Sequence, residues 1–158
     1  MSWSMKSGYN LLLGAVVAMS AAACADGTGP EVAAEMRASI SVLKDTQMPN
    51  GEAGILPFTP TITAGVGTVE ILGQIRLPTP CYTLSSELLS ANRVITLNVK
   101  AESSLSQGSV CAQVLVVRDY GATIQRIPAG RYTVRVVHLF PGTSRTPDVV
   151  AEKEVDVR

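Results

Sequence analysis

One histidine sets the terms for any chemistry in this chain. His138 is the single imidazole among 158 residues, so a Ser/His/Asp or Cys/His arrangement would depend on it as base. It alternates with Tyr132, Val134, Val136 and Phe140 on one strand face. A lone His on such a face reads as a packed, hydrogen-bonded residue, so no catalytic residue is expected. Neither a Gly-x-Ser-x-Gly, a His-Glu-x-x-His nor a P-loop spacing occurs. Glu152, Glu154 and Asp156 form an acidic row, but a calcium loop would cluster Asp and Asn around a glycine turn. A solvated strand face is the better reading, and no metal or cofactor is expected. Arg126, Arg131, Arg135 and Arg145 fall close together in sequence and could give a modest basic patch for a phosphate-bearing or acidic glycan, but surface charge guarding a sheet edge is the better reading. For ligand contact the candidates are Tyr120, in Asp119-Tyr120-Gly121 at an expected strand end, Phe58 in an apolar loop, and Arg131.

Composition narrows the partners. Thirteen basic and thirteen acidic side chains give a formal net charge of zero, which excludes a strongly basic nucleic-acid binder. The length suits one domain with a core of its own.

The N-terminus carries an uncharged apolar run, Leu11 to Met19, behind a polar stretch whose only charge is Lys6. Such a run is too short to span a membrane as a helix and has the proportions of a cleaved signal helix. After it come Ala21-Ala22-Ala23-Cys24, which resemble the lipobox of bacterial lipoproteins, with Ala21 where that family usually has Leu. The resemblance implies removal of residues 1–23, lipidation of Cys24 and anchorage at a membrane. Ala25 after the cysteine implies transfer to the outer membrane. The alternative is ordinary cleavage at an Ala-x-Ala site. Residues 24–30, small and rich in Gly, read as a flexible tether to a domain at 31–158. With Cys24 carrying lipid, Cys81 and Cys111 remain, and two cysteines in an exported chain are expected to form a disulfide.

The mature chain is dominated by period-2 alternation. Met36, Ala38, Ile40 and Val42 share a face, as do Val69, Ile71, Gly73, Ile75 and Leu77, then Ile95, Leu97, Val99 and Ala101. Tyr132 to Phe140 and Val149, Ala151, Val155 and Val157 repeat the pattern. Further strands are expected at Cys81–Leu89, at the apolar run Val110–Val117, and as a short piece at Ala122–Ile127. About eight strands with polar outer faces argue for an all-β, antiparallel β-sandwich, Ig-like or transthyretin-like. Read as an up-down-up meander, 81–89, 93–102 and 110–118 put Cys81 and Cys111 at one end. In a single flat sheet they would lie two strand spacings apart, about 9–10 Å, beyond disulfide reach. Either the bond joins two layers or the meander is split between sheets. Ile127 to Val136 resembles the Pro-Gly-x-Tyr-x-Val hairpins of Ig-like and transthyretin-like bacterial modules. Lys44–Gly67, rich in Pro and Gly, reads as one long connection.

Together these features lead to a non-enzymatic, lipid-anchored envelope protein that acts as a binding or structural module. Its expected partners are the membrane, through Cys24, and another envelope protein. The alternative is a secreted or periplasmic sandwich that binds a carbohydrate or small ligand.

Overall fold

In the computed structural model, residues 36–48, 58–106 and 108–158 are described. The signal segment, Cys24 and the tether lie outside them, as do 49–57. Eight strands follow in order: β1 (Arg37–Met48), β2 (Thr61–Ala64), β3 (Thr68–Leu77), β4 (Tyr82–Ala91), β5 (Val94–Ser103), β6 (Leu115–Gln125), β7 (Gly130–Leu139) and β8 (Asp148–Val157). They form two four-stranded sheets, ordered β1-β6-β3-β2 and β4-β5-β7-β8. The all-β sandwich is therefore present, and no helix occurs among the described residues.

Alternation places the core where the pattern requires. Val69, Ile71, Ile75 and Leu77 from β3 and Val116, Tyr120, Ala122 and Ile124 from β6 face Ile95, Leu97, Val99 and Ala101 from β5 and Val134 and Val136 from β7. Burying each branched aliphatic side chain contributes about 1.5–3 kcal/mol, and this layer is the main source of stability.

Several local expectations change. Val110–Val117 is not a central strand: Val110 is 95% exposed, and the strand begins at Leu115. That strand continues through Gly121 and takes in the expected short piece near 122, because Asp119-Tyr120-Gly121 lies in mid-strand. Lys44–Gly67 is not one loop, since β1 extends to Met48 and β2 lies within the segment. A bulge between Val42 and Lys44 lets β1 continue along β6 and sets Leu43 beside Leu72 above Gly121 on the outer face. A second bulge, opposite Val136 and Val137, turns Val149 outward and leaves Val150 against the core.

One pairing departs from the antiparallel pattern. β5 and β7 run parallel, because the chain leaves the second sheet after β5, lays down β6 in the first, and returns. Ile127 to Val136 consequently forms a crossover into β7, with Arg126 at φ 62° and Ile127 N–H donating to the Gly67 carbonyl. It is not a hairpin, since β6 and β7 lie in different sheets. The tight hairpin is Asn92-Arg93 between β4 and β5, where both residues take positive φ as a type I′ turn requires.

The flanks of the sandwich are laced. On the β1/β4 side, Arg118 points inward from β6. Its Nε and Nη2 donate to both oxygens of Asp45 on β1, at 2.6 and 2.7 Å, and its Nη1 donates to the Tyr82 carbonyl on β4. On the β2/β8 side, Lys153 Nζ donates to the Ile62 carbonyl at 2.8 Å, and Arg158 exchanges backbone bonds with the Gly65–Gly67 turn. The Cys81–Cys111 disulfide, with Cα atoms 6.1 Å apart, ties the β5–β6 crossover to the start of β4. The meander is indeed split between sheets, since β6 lies in the other layer from β4 and β5.

Candidate functional site

The site begins with an omission. Gly73 is the one glycine on the inward face of β3, directly opposite Tyr120 of β6. A Cβ there would lie 2.4 Å from the phenol ring, so only a bare Cα lets the ring lie flat across β3. Tyr120, 0% exposed, thereby reaches across the core to the other sheet. Its hydroxyl shares a 2.9 Å hydrogen bond with His138 Nε2 of β7, and the two rings meet edge to face. Burial raises the phenol pKa well above its usual value. Burial also pushes His138 down to about 4, against an opposing pull from Asp148, its register partner on β8. The imidazole is therefore neutral at pH 7. With Nε2 engaged and so low a pKa, it is a poor proton acceptor there.

His138 sits where β7 leaves the core, and beyond it a cleft of about 310 Å³ opens at the end of the sandwich. Its walls include Phe58, Gln74, Arg76, His138, Phe140, Arg145 and Asp148. The β7–β8 connection shapes one side. Gly142, at φ 73°, turns the chain, and the Thr143 hydroxyl and N–H both donate to the Phe140 carbonyl, at 2.7 and 3.2 Å. Arg145 N–H donates in turn to Thr143 Oγ1. This folds the loop back so that the Arg145 guanidinium lies 4.5 Å from the Phe140 ring centre. Among the described residues, no carboxylate forms an ion pair with Arg145.

The expected site residues fare differently. Tyr120 is not a displayed ring but a core residue, because its strand continues past it. Phe58 is 46% exposed and does line the cleft. Arg131 lies on the outer face, paired with Asp156 at 3.1 Å, and that carboxylate raises its pKa further. Arg135 likewise pairs with Glu152 at 2.7 Å. The basic cluster and the acidic row are thus two sides of one ladder between β7 and β8 and largely cancel. Arg126, between β6 and β7, and Arg145, between β7 and β8, are the members that stand apart from it. No group of three His, Cys, Asp or Glu side chains that could hold a metal occurs among the described residues.

Three features escaped the sequence reading. Arg145 over Phe140 had no signal beyond the Pro-Gly turn between them. Arg118 would have been found by extending one alternation from Val116 to Ile124. A Ser-x-x-Lys spacing exists at Ser41–Lys44, but it falls on the edge strand β1, where Ser41 Oγ donates to the Gly121 carbonyl at 3.3 Å.

Two four-stranded layers around one core, stapled by a disulfide and opening into an end cleft, define a β-sandwich domain. Residues 73–146 match the family model of the ORF11 beta-sandwich domain, to which this part of the chain is similar. The match contains β4 to β7 and the second half of β3, so it takes in inner strands of both sheets, the Tyr120–His138 pair and most of the cleft wall. It leaves out β1, β2 and β8, which are edge strands. No curated protein and no solved structure matches the chain.

Proposed function

We propose that this protein is a non-enzymatic binding module of the cell envelope, anchored through lipid on Cys24 and facing its ligand with the cleft end of the sandwich. Support for the anchor is arithmetical. Cys81 and Cys111 pair with each other, and Cys24, the remaining one of three cysteines, falls where the lipobox resemblance puts the acylated residue. The outer membrane is the destination that Ala25 implies.

The observation that carries binding rather than catalysis is the state of His138. The only imidazole is held neutral by burial and engaged by Tyr120, and it serves as the floor of a cleft. For what is bound, the cleft favours a carbohydrate or other small ligand over a broad protein face, because its volume lies at the lower end of small-molecule sites.

The test is the intact mass of the protein from membrane and soluble fractions, with and without reductant. A membrane-bound species that begins at Cys24, carries acyl mass and gains two hydrogens on reduction is expected. A soluble species cut after an Ala-x-Ala site would remove the anchor and leave a diffusible binding protein.

A further inference from the structure

We propose that the end cleft binds an acidic sugar, a uronate, with Arg145 taking the carboxylate and Asp148 and Gln74 taking ring hydroxyls. The inference rests on the binding reading above and assigns its ligand class. Arg145 is the starting point. Its guanidinium carbon lies 4.5 Å from the Phe140 ring centre, on a connection folded back at Gly142–Thr143, and a guanidinium offers an N–H fork that matches a carboxylate.

The other walls select among anions. Arg76 and Asp148 line the same cleft as Arg145, so its wall carries two guanidinium groups and one carboxylate, and a ligand that combines an anionic group with hydroxyls uses both kinds of wall. A cation would meet Arg145 itself. A ligand with one carboxylate and several hydroxyls satisfies both: the carboxylate goes to Arg145, and hydroxyls donate to Asp148 and exchange hydrogen bonds with the Gln74 amide. Phe58, nearly half exposed at the rim, supplies an aromatic face for the C–H side of a sugar ring. The cleft accommodates about one ring and is open at its mouth, so the uronate can be free or the end of a longer glycan.

His138 provides the reporter. As the only histidine, it gives one imidazole signal set by NMR, from the floor of the cleft. The full chain is titrated with glucuronate, glucose, acetate, inorganic phosphate and a short oligogalacturonate while that signal is followed. Glucuronate is expected to shift it saturably, with an affinity at least about tenfold above those of glucose and acetate. Arg145→Ala should lower glucuronate affinity by about tenfold or more, and Arg145→Lys should restore only part of it, since the charge returns without the fork. A tighter oligogalacturonate would identify a polymer as the source, and equal affinities a free sugar acid. Glucose binding as well as glucuronate, phosphate binding better, or an unchanged Arg145→Ala would overturn the uronate assignment and leave the cleft a binding site. If no probe moves the His138 signal, the uronate assignment and the small-ligand reading fall together.

Discussion

Acid should weaken this fold through one residue, and the effect can be isolated. His138 is 7% exposed, and burial pushes its pKa down to about 4 from the usual 6.5. Between those two values the unfolded chain binds a proton at His138 and the folded chain does not, so stability falls as pH drops through that window. At about 1.4 kcal/mol per pH unit, the span amounts to a loss of about 3 kcal/mol between pH 6.5 and 4, a large part of a small domain's stability. The carboxylates act in a lower window. Asp45, held down by its hydrogen bonds from Arg118, and Glu87, held down by Asn98 and Lys100, contribute stability that is present above their unfolded values of 3.8 and 4.5 and lost below them. Urea unfolding of the wild type and His138→Gln at half-unit steps from pH 7 to 4.5 separates the two. The wild type should lose stability progressively, while His138→Gln, although weaker at pH 7 for want of a good partner for Tyr120, should stay nearly flat. Parallel curves would refute the buried neutral imidazole.

Other perturbations follow from the packing. Gly73→Ala drives a methyl into the Tyr120 ring and should cost about 1–3 kcal/mol in chemical denaturation, the range for overpacking a tight core. Asp45→Ala strips the carboxylate from an inward-pointing guanidinium and should cost about 2–3 kcal/mol, whereas Arg118→Met, which keeps the stem and removes the charge, should cost less. The reverse order in urea melts would show that the pair is only a surface contact. Replacing Cys81 and Cys111 with Ser reopens a loop with a sequence separation of 30 and should lower stability by about 3.5 kcal/mol on the chain-entropy model, read as a lower urea midpoint.

The inward faces were legible because strand alternation is a direct readout of burial, and in β3, β5 and β7 parity alone orders the core. Alternation broke down where bulges shift it, at Leu43 and Val150, since an extra residue in one strand leaves no mark on composition. It also failed where apolar content imitates a strand, as at Val110, which the disulfide holds in a crossover. The parallel β5–β7 pair was hidden for another reason: strand direction depends on which sheet the intervening strand joins. Gly73 did carry a usable signal, a gap in an otherwise apolar face that calls for something large opposite. What fills it is Tyr120, which lies in mid-strand although the following glycine reads as a strand end.

The strand order also has a consequence in time. β1 has its sheet neighbour in β6, with Ser41 and Gly121 separated by 80 positions, and β3 leans on that same strand. Lys153 closes the opposite flank across 91 positions. Contacts this distant along the chain place folding among the slow all-β domains, in the millisecond-to-second range. A growing chain that has not yet reached Leu115 holds β1 and β3 with no strand between them. The first sheet therefore cannot form piecemeal from the N-terminus, and it waits for one strand that arrives late.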